Sequence, residues 1–442
     1  MERTVVNTFS LGIAASFFAL CALASPTLAQ AKPSDADGEA KVSDEIAADL
    51  REDAAHAWKF FERKSAGRTG IAPPNIWPTG EGTYGSYDIV TMWDVGSIVL
   101  ATLSARAIDL IDDATFEKRI SSILDFIKRA TYTRKGLKVP NFRSDIRTAR
   151  SIEAGYDTTD TGRLFIALHI LDKATNKRFD AASLFKGWNL DKTIVDGVMN
   201  DIKGGKFYPA RSNIYRFYVS RGYDFWSIDH AAVYKGATPD KNEAARNAFL
   251  KELGEIGPIA TEPSLVELVE VGSSPFAVVI ADVLEKRQQE RYKATGKLTS
   301  VSETPIDREP WFTYQGLDLT REGEAAWTVY PYKTDKRWNT PSFAADNRVV
   351  NTKAAFLWFA ARPSDYSEEL WKLVRKDARA QDFGFHPGVF EKTGKPPANI
   401  DLNTNATILE SIAFILNGRV PLSELQLQPN ADQHTHQNTQ VR

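Results

Sequence analysis

The sequence predicts an all-α fold, an α/α toroid of inner and outer helices whose long loops form a cleft at one end. Three observations predict it. Apolar residues recur mostly at three- and four-residue spacings, while clear period-two alternation is scarce. Some helical segments are apolar nearly all round and rich in Ala, Ser and Gly, the signature of buried helices, whereas others, such as Phe116 to Arg129, are amphipathic. Finally, loops ending in Asp, Asn and Thr repeatedly lead into the apolar segments, in "YDIVTMWDVGSIVLATLSARA", "YDTTDTGRLFIALHIL", "VNTKAAFLWFAARP" and "LNTNATILESIAFILNG".

In chain order, residues 1–29 read as an export signal. Arg3 precedes an apolar run from Leu11 to Ala24, Pro26 breaks it, and Ala29 and Ala31 offer a cleavage site. The run is shorter than the about 20 residues of a membrane span. The expectation is a soluble periplasmic protein with no stable membrane insertion. Cys21, the single cysteine, lies inside the signal, which excludes disulfides and cysteine metal sites from the mature chain. Leu20 stands where a lipid-anchoring motif needs a small residue.

Residues 30–42 and the Gln-, Asn- and His-rich residues 428–442 read as disordered ends. Between them, residues 43–427 have no Gly/Ser- or Pro-rich linker and read as one domain. Helical periodicity marks Ile98 to Ile111, Phe116 to Phe126, Leu164 to Leu171, Leu265 to Leu284, Ala354 to Ala360 and Ile408 to Leu416. Lys206 to Ser220 admits a short hairpin interrupted by Pro209. With 55 Lys and Arg against 57 Asp and Glu in 442 residues, the net charge of -2 gives no general attraction to nucleic acid.

The loops at the helix mouths would gather acids beside aromatics. They carry Tyr87, Trp93 and Asp94; Asp157 and Asp160; Arg221, Asp224 and Trp226; and Glu303, Asp307, Trp311 and Tyr314. Pyranose rings stack on aromatic faces, carboxylates take sugar hydroxyls, and two further carboxylates can cleave a glycosidic bond. Glu303 is the candidate general acid and Asp160 or Asp94 the base, with Tyr87, Trp93, Arg221, Trp226 and Trp311 holding sugar rings and hydroxyls. Asp157, Asp224, Asp307, Tyr314 and Asn405 complete the expected substrate contacts.

A structural alternative stands beside this reading. Asp157 and Asp160 resemble a capping box, and Asp94 also sits where a helix begins. Pro305 disfavours helix at Thr304, so Glu303 is expected in an extended or turn-like segment. No HExxH pair, complete phosphate loop or G-x-S-x-G elbow is present, and neither metal nor cofactor is expected.

The segments "YDIVTMWDVGS", "YDTTDTGRL", "SRGYDFW", "SETPIDREPWFTY" and "NTNATILES" together resemble a bacterial exported family catalogued as a domain of unknown function. That family looks related to the glucoamylase-like clan, which includes endo-beta-1,2-glucanases and a domain of cyclic beta-1,2-glucan synthases. The resemblance runs from about Trp58 to Gly418 and implies an (α/α)6 toroid and action on a glucan-like polysaccharide or oligosaccharide. The expected function is an exported glycoside hydrolase or transglycosylase. The alternatives are a non-catalytic periplasmic glycan-binding protein beside a polysaccharide synthesis or export machinery, and a lyase using Arg211, Tyr215 and Arg221.

Overall fold

The computed structural model describes residues 42–428 apart from 211–212, 332–337 and 339. The predicted signal, both predicted disordered ends except Val42 and Gln428, and Arg211 lie outside the described residues. Six helices form the centre: Met92–Ala107, Thr158–Ala174, Arg216–Phe225, Thr261–Val271, Thr352–Ala361 and Leu402–Leu416. Each packs on the next in that order, and the last returns to the first. Nearly every residue of Met92–Ala107, Thr352–Ala361 and Leu402–Leu416 is buried, as their all-round apolar sequences require.

Amphipathic helices cover this centre. Asp44–Lys64 lies on Leu402–Leu416, Asp113–Arg129 on Met92–Ala107, Pro275–Thr295 on Thr261–Val271, and Asp365–Asp377 on Thr352–Ala361. Asp113–Arg129 buries Phe116, Ile120, Ile123, Leu124 and Ile127. Its N-cap Asp112 accepts a bond from Thr115 N at 2.7 Å, and Lys128 and Arg129 favour the negative end of the helix dipole.

Close approach between central helices depends on glycine. A Cβ on Gly222 would lie 2.2 Å from the Gly162 carbonyl oxygen, so Thr158–Ala174 and Arg216–Phe225 touch backbone to backbone. The helical run predicted from Leu265 to Leu284 is broken at Gly272, whose φ of +79 ends one helix before Ser274 caps the next.

The all-α prediction is overturned. Among the described residues, seventeen strands of two to six residues form six small antiparallel sheets, so this is a mixed helix-and-sheet fold. Most of the strands lie in the segments that lead into the central helices. Asn75–Gly80 pairs with Thr83–Tyr87 across a turn containing Gly82, and Ile400–Asp401 adds a third strand immediately before its helix. Glu303–Pro305, Phe312–Leu317 and Trp327–Pro331 form another sheet. Strands this short span too few residues for period two to emerge, and many are exposed on both faces. In the Lys206–Ser220 region the hairpin turns at Gly204 and Gly205, earlier than predicted, with Val198–Lys203 as its first strand.

Candidate active site

The amino ends of the central helices meet at one place. Asp94 and Asp160 are the third residues of their helices, Glu262, Lys353 and Asn403 the second of theirs, and Tyr215 immediately precedes Arg216–Phe225. Glu303 joins them from its strand. Asn351, which caps its own helix through Ala354 N at 2.9 Å, also donates to the Glu303 carbonyl at 3.2 Å and to Thr304 Oγ1 at 2.8 Å. Those bonds fix the strand against the helix end.

The carboxylates divide by environment. Asp94 accepts bonds from Thr91 N at 2.9 Å, Thr91 Oγ1 at 3.2 Å and Asn403 Nδ2 at 2.9 Å. Burial raises its pKa against the opposing pull of those donors. Asp157 caps Thr158–Ala174 through Asp160 N at 3.0 Å; burial and the neighbouring Asp201 raise its pKa. Asp160 is pushed well above the usual carboxylate range by burial and by the charges of Asp157, Asp94 and Glu303, with the Thr91 hydroxyl opposing them.

Glu303 has a cation beside it. Its pKa is pushed up to about 7 by burial, an effect that Lys353 opposes and Glu262 reinforces. Lys353 Nζ lies 3.6 Å from Glu303 Oε1 and 2.5 Å from Glu262 Oε2. Burial pulls the Lys353 pKa down, but Glu262, Glu303 and Asp401 together push it up, so it stays an ammonium. The Tyr215 hydroxyl donates to Glu303, and its own proton is held by burial and by that carboxylate. Tyr215 meets the Trp93 ring edge to face at 5.3 Å.

Tyr314 stands directly across from Glu303 in the sheet register, so the two side chains share a face. Trp311 stands in the hairpin turn and is 61% exposed. Asp307 ties that turn down by accepting from Ala398 N at 2.8 Å and pairing with Arg308. Tyr87 is exposed and lies in register with Asn75 and, through it, with Asp401.

Trp93 is buried behind the acids, over Arg163 at 4.9 Å, and its Nε1 has no hydrogen-bond partner. Asn405 is fully buried, bonding Phe385 N, Phe385 O and Asp401 O. It clamps a loop; no part of it reaches the cleft.

Three residues are corrected in place. "SRGYDFW" lies mostly within the Arg216–Phe225 helix and ends at its carboxyl terminus, so its residues face away from the acids. Arg221 donates to the Val271 and Gly272 carbonyls at the far end of Thr261–Val271 and pairs with Glu267. Asp224 pairs with His230 at 3.2 Å. Trp226 bonds Phe165 O at 2.9 Å and stacks on Phe185. What this helix brings to the mouth is Tyr215, the residue that precedes it.

The sequence reading also missed Lys353, Glu262 and Asp401. For Lys353 the available signal was a lone charge in an otherwise apolar helix, since burying a charge requires a partner.

Comparison with known structures shows what the fold resembles. The chain is similar to a candidate glucoamylase from Bacteroides caccae, at 12% identity and TM-score 0.57, over 86% of this chain and 95% of that one. It is similar to the endo-beta-1,2-glucanase from Chitinophaga pinensis in complex with sophorotriose and glucose, at 11% identity and TM-score 0.56, over 87% and 94%. A third is an endo-beta-1,2-glucanase variant from Talaromyces funiculosus in complex with beta-1,2-glucan, at 12% identity and TM-score 0.51, over 84% and 85%. At these identities the likeness concerns the fold. Comparison with curated protein sequences gives no match. A family model described as "Protein of unknown function (DUF3131)" matches residues 52–418, and the chain belongs to that family.

Proposed function

We propose that this protein is a glycoside hydrolase or transglycosylase acting on a glucan-like chain, with Asp160 as general acid and Glu303 as general base. The observation that carries the reading is the contrast between two partly exposed carboxyls at one helix-end junction. Asp160 sits among acids and keeps its proton; Glu303 sits beside Lys353 and loses its own more readily. Environments that separate two carboxyls in this way set acid and base roles. The electrostatics therefore favour the reverse of the assignment expected from sequence. Similarity to glucanase structures that hold sophorotriose or beta-1,2-glucan supports a glucan as the substrate class.

In the proposed reaction Asp160 gives its proton to the glycosidic oxygen as the bond to the anomeric carbon breaks. Glu303 takes a proton from a water, or from a sugar hydroxyl in transglycosylation, whose oxygen forms the new bond to that carbon. Tyr215 and Lys353 hold the Glu303 carboxylate, and Tyr314 and Trp311 offer ring faces beside it. Asp94, satisfied by three donors, supplies negative charge behind Asp160. The amino-terminal segment, with its apolar run from Leu11 to Ala24, supports export as the route to a polysaccharide outside the cytoplasm.

The test is product release from a panel of beta-glucans and bacterial exopolysaccharides by the purified mature protein. The wild type is expected to release oligosaccharides, and Asp160→Asn and Glu303→Gln each to lose about 100-fold or more in turnover while still binding the chain. Full turnover in both variants would sink the assignment. Binding of a glycan by the wild type with no product would establish the glycan-binding alternative.

A further inference from the structure

We infer that Trp77 and Tyr87 form a saccharide-stacking subsite on the Asn75–Tyr87 hairpin, extending the cleft so that it grips a glucan chain several sugars from the acids. This rests on the proposed glucan activity and adds to it a polymeric substrate bound beyond the cleavage point.

The argument begins with register. Asp401, Asn75 and Tyr87 are paired across three adjacent strands, and Trp77 pairs with Gly85 two residues further along. Paired residues, and residues two apart on one strand, project from the same face. Ile76 and Ile400 occupy the other face and are buried, which leaves Tyr87 and Trp77 exposed on the first face, with Asp401 buried at its inner end. Asp401 is tied electrostatically to Lys353, and Lys353 lies 3.6 Å from Glu303. That first face therefore leads from the acid cluster to Tyr87 and then to Trp77.

Both rings are open to solvent, Tyr87 44% and Trp77 41% exposed. Gly85 gives the second observation. A Cβ there would lie 2.7 to 3.0 Å from Nε1, Cε2 and Cζ2 of Trp77, so the indole rests over the neighbouring strand where a side chain would displace it. An indole supported on one side by backbone and exposed on the other presents a flat apolar surface, which suits the apolar face of a pyranose. The two positions are about 7 Å apart along the hairpin, comparable to one sugar repeat, and so can serve successive rings.

The experiment measures binding and cleavage of long linear beta-1,2-glucan and of sophorotriose by the full mature protein. Trp77→Ala is expected to weaken long-chain binding about 3- to 10-fold, the scale of one aromatic contact, with sophorotriose affinity and turnover unchanged. Gly85→Ala should weaken it in the same chain-length-dependent way by lifting the indole, and Trp77→Phe should restore most of it. Thermal melts confirm that the variants are folded. Equal effects on long and short substrates, or none on either, would overturn the subsite while leaving the glucan reading intact. A wild type that neither binds nor cleaves either substrate would overturn the subsite as one for this chain, and the glucan reading falls only if the rest of the panel also fails.

Discussion

Lys353 decides how Glu303 behaves. Among the influences on the Glu303 carboxyl, the Lys353 ammonium is the largest that favours the charged form, against burial and the like charge of Glu262. A base must be unprotonated to act, so kcat/KM is expected to rise with pH through about 7, the Glu303 value. Removing the ammonium pushes that value upward. Lys353→Met alone would leave Glu262 buried without its partner, a loss of about 3 to 5 kcal/mol, so the informative variant is Lys353→Met with Glu262→Gln. Its acidic limb should move to higher pH, and Lys353→Arg should keep it near the wild-type position. Glu262→Gln removes a charge that raises the Glu303 value, so it offsets part of that upward shift and on its own should lower the limb; a limb unmoved in both the single Glu262→Gln and the double variant would show that Glu303 is not the group being titrated. His56 provides a second residue-scale prediction. Burial and the nearby Arg379 lower its pKa to about 4, while the ring bonds the Ala380 carbonyl at 2.9 Å. The folded state thus binds fewer protons than the unfolded chain between pH 6.5 and 4, and stability from His56 falls as pH drops through that window. The contribution is at most about 3 kcal/mol. Asp53, raised to about 6, acts in the opposite sense, its contribution being lost as pH rises through that value. Urea midpoints of wild type and His56→Gln at pH 7 and pH 4.5 isolate the histidine: the variant should lose less between the two.

At the scale of elements, the contact between Thr158–Ala174 and Arg216–Phe225 fixes how close Asp160 and Tyr215 come to each other. Gly222→Ala would place a carbon 2.2 Å from the Gly162 oxygen, which only separation of the two helices relieves. The expected cost is about 1 to 3 kcal/mol, seen as a lowered melting temperature, together with a fall in turnover because the helix ends carry the proposed acid and the tyrosine that holds the base. Unchanged melting would mean the helices already have slack. Five of the six central helices were legible in sequence because their period is sustained and their caps are side chains of recognisable type: Asp157, Asn351 and Asp401 each accept the expected backbone N–H; Arg216–Phe225 was not, because Lys206 to Ser220 read as a hairpin region. The short strands were not, since two to six residues give no reliable period and their pairing partners lie far along the chain, as Asp401 does from Asn75. Glu303 was legible through Pro305, which forbids helix where the strand forms. Arg221, Asp224 and Trp226 misled because an acid-and-aromatic segment at the carboxyl end of a helix reads like one that leads into a helix.

Across the whole molecule, one arginine holds the centre together. Arg163, fully buried, donates to Ser97 Oγ at 3.0 Å, Tyr218 Oη at 2.6 Å, Glu270 Oε1 at 2.6 Å and Glu410 Oε1 at 3.1 Å. Counting its own, five of the six central helices meet at this guanidinium. Tyr218 closes the network by donating to Glu270 at 2.5 Å. Planar, multiply donating and always charged, a guanidinium suits this position where lysine would not. The network lies behind the acids, linked to them by Trp93, whose ring contacts both Arg163 and Tyr215. Arg163→Met removes the cation that pairs with both Glu270 and Glu410 and should cost about 3 to 5 kcal/mol, the scale of stranding buried charge. Adding Glu270→Gln and Glu410→Gln removes the stranded charge and should recover much of that loss in urea midpoint. Recovery without turnover would mean the charges orient the helix ends that carry Asp160 and Glu303. Recovery of both would mean the ring needs only a filled centre, and that the arrangement of the acids is set at the helix caps themselves.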